Sequence, residues 1–208
     1  METVSINVCS LCVPCANRCR YCLLSWDGKV RGADYHRSCA YAKRFQAWLK
    51  ENRPELSFAW YFGYSMEHPT LLDAIDFSRK LDSPGGQFLQ FDGMQFRTGE
   101  EIRLLLAGIR EHGVSLIDLT FYGTREYHDR FAGRQGDFDY LLRILRIAGE
   151  TGLSVNMGMA LTHENADQAG ELLSLLQNHP MNRFFCFVPH GEGRGETLEP
   201  IRFRQEDY

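Results

Sequence analysis

Short apolar runs and longer amphipathic stretches alternate along the chain. Val4–Val8 predicts a first strand. Ser38–Glu51, dominated by Ala, Lys, Arg, Gln and Leu, predicts a helix that Pro54 stops. The apolar and aromatic run Leu56–Tyr64 suits a buried strand. Pro69 can sit in the first turn of a helix that runs to about Leu81, with Leu72, Ile75 and Leu81 on its apolar side. Ser83–Gly86 is a turn and Gln87–Phe91 a third strand. Thr98, with Glu101 three residues on, has the form of a capping box, and that helix stops near His112–Gly113. Leu116–Phe121 is a fourth strand. Asp137 can cap Phe138–Glu150, where Leu141, Leu142, Leu145 and Ala148 share one face and Gly152 closes the helix. Leu153–Leu161, Ala166–Gln177 and Arg183–Val188 follow as strand, helix and strand.

Six strands alternating with five helices argue for α/β architecture with parallel strands. Periodicity leaves two shapes open: an open doubly wound sheet, or an incomplete barrel of about six βα units. In either, chemistry belongs at the C-terminal ends of the strands. The 208 residues show no second domain, tandem repeat or low-complexity linker, so residues 1–208 read as a single domain.

Composition narrows the function. With 44% apolar and 24% charged residues the chain reads as globular, and its net charge of −4 gives no global case for nucleic acid. No apolar run approaches the roughly 18–20 residues of a membrane span. The N-terminus lacks a basic start and a small-residue cleavage site, which makes a cytoplasmic location the expectation.

Seven Cys are present, five of them within the first 22 residues, in a loop at 9–22. Such clustering favours a metal site over a disulfide framework. Cys15, Cys19 and Cys22 form a CxxxCxxC spacing just after the first strand. Three thiolates can hold three corners of an iron–sulfur cube, leaving one iron open where most such proteins use a fourth Cys. The competing reading is structural zinc, which wants four ligands, the fourth from Cys9, Cys12, Cys39 or His36. Cys9 and Cys12 otherwise read as reduced core or near-core thiols, with a second cluster as the alternative, Cys186 as core within the run FFCF, and His68 and His128 as exposed-loop histidines.

The segment CANRCRYC resembles the signature loop of the radical S-adenosylmethionine (SAM) superfamily, with Tyr21 at the aromatic position before the last Cys. Further stations follow in order. YFGYSMEHPTL, Tyr61–Leu71, resembles the Gly-Gly-Glu-like motif but keeps only its first Gly. Asp118–Leu142 resembles the strand-four region of peptide- and protein-modifying maturases: Thr120 stands for a Ser, Tyr122 for an Asp and Gly123 for a Gly, with His128, Asp129 and Arg134 at matching places. Leu161–Asn165 and the PHGEGRG of Pro189–Gly195 resemble the turns after strands five and six. The resemblance implies a partial (β/α)6 TIM-like barrel, a 4Fe–4S cluster on Cys15, Cys19 and Cys22, and SAM. It implies an adenine flanked by Tyr21 and Phe187–Val188, an amino group met by Gly63, Tyr64 and Ser65, a ribose near Thr120, and a carboxylate met by Arg134, with Arg125 and Arg130 as competitors. It further implies oxygen sensitivity, an electron donor of flavodoxin or ferredoxin type, and a peptide, protein, small-molecule or nucleotide substrate. A non-catalytic zinc or iron–sulfur module is the alternative. Maturases commonly carry a C-terminal extension with auxiliary clusters, and no Cys follows Cys186, so a truncation after Tyr208 or a minimal core enzyme both fit.

Overall fold

The computed structural model describes residues 4–10, 15–22, 34–62, 67–81 and 88–207. Strand β1 (Val4–Ser10) pairs in parallel with β2 (Leu56–Phe62), and helix α1 (Tyr35–Asn52) connects them. Asp34 starts α1 three residues earlier than its composition suggested, because its carboxylate accepts the Arg37 N–H at 2.9 Å. Helix α2 (Leu71–Lys80) then leads to β3 (Phe88–Gln90), and α3 (Gly99–Glu111) leads to β4 (Leu116–Phe121). The capping box on α3 forms as expected, with Thr98 and Glu101 satisfying each other's backbone N–H groups. Beyond β4 come α4 (Arg125–Ala132), α5 (Asp137–Thr151), β5 (Ser154–Ala160), α6 (Ala169–Leu176) and β6 (Met181–Phe187). The predicted turn at residues 83–86 and the station at 63–65 lie outside the described residues, as does Cys12.

Strand order decides between the two shapes. Strands β3, β4, β5 and β6 pair in chain order and all in parallel, as do β1 and β2. A doubly wound sheet reverses direction at a switch point, and neither described sheet contains one. The order is that of a TIM-like barrel opened between strands.

Ile117, Leu119 and Phe121 of β4 and Val155, Met157 and Met159 of β5 face the helices, where they are buried with Ile102, Leu106 and Ile109 of α3 and Leu141, Ile144 and Leu145 of α5. Burying each such side chain is worth about 1.5–3 kcal/mol. Because strand side chains alternate, Asp118, Thr120, Asn156 and Gly158 line the opposite, inner face. A smaller cluster of Ala42, Ala74, Phe77 and Leu81 seats α1 against α2.

Helix α4 was not legible in the sequence. Its eight residues bury Tyr127, Phe131 and Ala132, but also His128 and Asp129. That mixed face has no clean apolar stripe, and it overturns the exposed-loop reading of His128, which is fully buried. The cap of α5 also differs. Gly136 takes the N-cap position, and Asp129, reaching over from α4, accepts the N–H groups of Gly136 at 2.7 Å and Phe138 at 2.9 Å. Cys186 is exposed rather than core. Strand β6 closes one edge of its sheet, and after it the chain enters a 3-10 turn at Gly193–Ile201 instead of a helix that would cover that face.

Candidate active site

Backbone hydrogen bonds from several directions hold the Cys loop at the C-terminal ends of the strands. Ala16 N–H donates to Gly93 O at 2.7 Å just after β3; Arg18 and Arg20 N–H donate to Ala132 O and Phe131 O at the end of α4; Arg194 N–H, beyond β6, donates to Cys22 O at 3.2 Å. Two glycines make these approaches sterically feasible. Gly93 has φ +72°, and a Cβ there would lie 2.1 Å from Cys15 Sγ. Gly133, the left-handed end of α4, has φ +65°, and its Cβ would lie 3.0 Å from the Arg18 carbonyl oxygen.

A buried polar network fixes the underside of the loop. Asn17, 3% exposed, donates to Asp137 Oδ2 at 2.9 Å, and the same oxygen faces His128 Nε2 at 3.1 Å. His128 Nδ1 accepts the Tyr122 N–H, which makes Nε2 the protonated nitrogen and Asp137 its acceptor. Arg134 donates to Asn17 Oδ1 at 3.2 Å and to Met94 O, lies 3.4 Å from Asp137 Oδ1, and stacks on Phe96 at 3.6 Å. Its guanidinium is thus engaged in holding Asn17. Of its competitors, Arg125 pairs with Asp139, and Arg130 lies over the Tyr127 ring.

Cys19 Sγ lies 3.2 Å from the Tyr122 hydroxyl. Burial pushes the Cys19 thiol up to about 12, with the Tyr122 hydrogen bond opposing it, and burial also raises Cys15. The Cys22 N–H donates to Cys19 O at 3.2 Å, which turns the loop back on itself between its last two cysteines. Among the described residues no three His, Cys, Asp or Glu side chains stand together at metal-ligand spacing. The donor set still fits an iron–sulfur cluster: three thiols on one anchored loop, one backed by a glycine that leaves room for its sulfur. Burial opposes ionisation of Cys15 and Cys19, and a bound metal would deprotonate its thiol ligands. Tyr122 is buried with its own ionisation pushed far up, so it keeps its proton and cannot act as the base that a carboxylate at its position would supply.

The Tyr21 and Phe187 ring centroids lie 6.2 Å apart, and Tyr122 and His190 join them at 5.7 and 5.9 Å from Tyr21. Val188 follows Phe187, half-buried. Thr120 is buried on the inner face of β4. Glu67 and His68 turn inward to the protein: Glu67 pairs with Arg97 at 2.7 Å and accepts the Gln95 N–H, and His68 Nδ1 lies 2.7 Å from Thr70 Oγ1.

Sequence patterns missed Asp92 and gave Asn165, the last residue of the Leu161–Asn165 station, no role of its own. Asp92 follows β3; it accepts the Thr120 N–H at 2.7 Å and the Gln90 amide at 2.8 Å, and burial pushes its carboxyl up to about 6. Its one local signal is the left-handed Gly93 beside it. Asn165, fully buried, donates to Tyr122 O and Ala160 O and accepts from Thr162 N–H, tying the ends of β4 and β5. Among the described residues no helix is long and apolar enough to cross a membrane.

Comparison with known proteins gives this end of the fold a family. The Fe-coproporphyrin III synthase of Methanosarcina barkeri is 30% identical over 90 residues, which are 43% of this chain and 23% of that protein. SuiB of Streptococcus suis, in a structure with its precursor peptide SuiA, superposes with a TM-score of 0.63 at 13% identity, over 91% of this chain and 40% of SuiB. Coproporphyrinogen III oxidase (HemN) of Escherichia coli, a radical SAM enzyme, superposes with a TM-score of 0.54 at 15% identity, over 99% of this chain and 49% of HemN. The chain therefore spans less than half the length of each. The likeness to the solved structures shows the partial TIM-like barrel. The model of the radical SAM superfamily matches residues 10–176, which include all three loop cysteines and β2 to α6, and the chain belongs to that superfamily, whose cofactors are a 4Fe–4S cluster and SAM.

Proposed function

We propose that residues 1–208 form the core domain of an enzyme that cleaves SAM reductively and removes a hydrogen atom from a peptide or protein substrate. The observation that carries this reading is the anchored loop itself: Cys15, Cys19 and Cys22 held where parallel strands end, beside the Tyr21–Phe187 ring pair. When bound, the cluster supplies the electron that splits a SAM carbon–sulfur bond, giving methionine and a 5′-deoxyadenosyl radical. Cys15, Cys19 and Cys22 would hold the cluster. Tyr21, Phe187 and Val188 would flank the adenine and exclude water, Thr120 would serve the ribose side, and Gly63, Tyr64 and Ser65 would meet the amino group. Arg134 acts through Asn17, keeping the loop in place. The reaction needs an external reductant of flavodoxin or ferredoxin type, and a reducing cytoplasm keeps the thiols available to iron. The peptide class draws on the maturase-like stations at Asp118–Leu142 and Pro189–Gly195.

The test is anaerobic reconstitution with iron and sulfide, followed by electron paramagnetic resonance of the reduced protein with and without SAM and assay of 5′-deoxyadenosine. SAM is expected to change the spectrum, and Cys19→Ala to abolish the product. A spectrum indifferent to SAM, or full product from Cys19→Ala, would overturn the reading and favour a non-catalytic metal module.

A further inference from the structure

The inner face of the sheet carries a polar row that the cofactor site leaves unused. Gln90, Asp118, Asn156 and Arg183 are register partners on four successive parallel strands, so their side chains leave the same face side by side. The row lies one step below Thr120, Gly158 and Phe185, about 6–7 Å further from the Cys loop. The helices pack on the opposite face.

Most of the row is internally arranged. Asn182 donates to Asn156 Oδ1 at 2.8 Å, and Asn156 stands beside Asp118 as its register partner on the next strand. A register shift between Val155 and Asn156 makes Arg183, rather than Asn182, the strand partner of Asn156, which frees the Asn182 amide to reach across. The Gln90 amide is committed to Asp92.

Two groups are left over. Asp118 Oδ1 is shielded from solvent and has no hydrogen-bond partner among the described residues. Arg183 forms no ion pair at contact distance among the described residues and lies over the Phe185 ring, which packs against Gly158 on the same face. Its charge acts on Asp118 from a distance. An unsatisfied buried acceptor is costly, and native proteins retain one where something else supplies the donor. Asn182 and Asn156 pair with each other and leave that oxygen unsatisfied.

Resting on the proposed radical reaction, the geometry points to this row as a substrate subsite that reads a peptide unit: Asp118 Oδ1 accepts an N–H of the substrate, and Arg183 donates to a neighbouring carbonyl or carboxylate. A paired acceptor and donor fork match the N–H and C=O of a peptide bond. A ligand whose polar groups here are carboxylates alone meets a like charge at Asp118. The row therefore separates peptide substrates from polycarboxylate rings by electrostatics as well as by shape.

Calorimetry on the anaerobic reconstituted chain tests this, with two probes: N-acetyl-trialanine amide, and its analogue in which an ester oxygen replaces the central N–H. On the wild-type chain the ester analogue is expected to bind roughly 10-fold to 100-fold more weakly, the range for a hydrogen bond to a charged group. In Asp118→Asn the two probes should bind within about threefold of each other, because the charged acceptor is gone. The same variant should melt no lower than wild type, since it removes a charge with an unsatisfied oxygen. An unchanged peptide-to-ester ratio in Asp118→Asn, a melting point lowered by several degrees, or no binding of either probe to wild type would overturn the assignment. Binding of a tetracarboxylate porphyrin in place of the peptide would refute the substrate class. Failure of wild-type SAM cleavage would instead sink the radical reading while leaving the peptide-binding result standing.

Discussion

Gly93→Ala separates the role of the scaffold from that of the sulfurs. Gly93 sits at φ +72°, where an L side chain costs about 1–2 kcal/mol, and its new Cβ would lie 2.1 Å from Cys15 Sγ. No pair of such atoms survives at that distance. The sulfur has one easy escape, rotation about its own χ1, which takes it off the position the loop gives it. The alternative is a shift of the backbone, which breaks the Ala16 N–H to Gly93 O bond and gives up about another 1 kcal/mol. The cluster-free variant should thus lose about 2–3 kcal/mol, and its melting point should fall by roughly 4–12 °C for a chain of this size. Reconstituted, it should hold clearly less iron and sulfide per chain than wild type and form little 5′-deoxyadenosine, although every cysteine is intact. Iron and sulfide analysis, a thermal melt and a product assay on the same preparation decide it. A variant with full iron, full activity and an unchanged melting point would refute the claim that Gly93 makes room for Cys15.

Two further outcomes follow from the buried polar groups. The folded-state pKa of Asp92 is raised by burial, to about 6 against an ordinary 3.8. The sign therefore runs opposite to a salt-bridged carboxylate: relative stability from this group is fully present below about pH 4 and is lost as pH rises through about 6. Asp92→Asn should be on the order of 1 kcal/mol more stable than wild type at pH 8 in the cluster-free chain, with the advantage vanishing by pH 4; denaturant melts across that range test it, and an advantage that grows as pH falls would contradict the assignment. Asn165→Ala orphans Tyr122 O, Ala160 O and the Thr162 N–H in a fully buried site, and should cost about 2–4 kcal/mol in a urea melt, whereas a loss under 1 kcal/mol would mean the ends of β4 and β5 are held by other contacts.

The alternation of strands and helices was legible because it is a local property: apolar runs, a capping box at Thr98–Glu101 and glycine stops need only near neighbours. The CxxxCxxC loop was legible for the same reason, since its ligands lie within eight residues. Helix α4 was not, because its buried face includes His128 and Asp129, whose burial is acceptable only once Tyr122, Asp137 and the start of α5 supply their partners. Cys186 misled in the opposite sense: an apolar run says that a strand is fit for burial, but only the sheet's edge says whether anything covers it.

The sequence by itself determined the six strands, every helix but α4, the parallel class, the three thiols and the family they resemble. Tertiary structure alone decided strand order, and with it the barrel over the doubly wound sheet. It also decided which polar side chains meet: Asp92 under Thr120, Asn17 on Asp137, and Arg134 drawn into the loop's support. Those contacts join residues 28 to 120 positions apart in the chain. Local patterns cannot encode such pairings, because each partner is indistinguishable from a solvated surface residue until the core brings the two together.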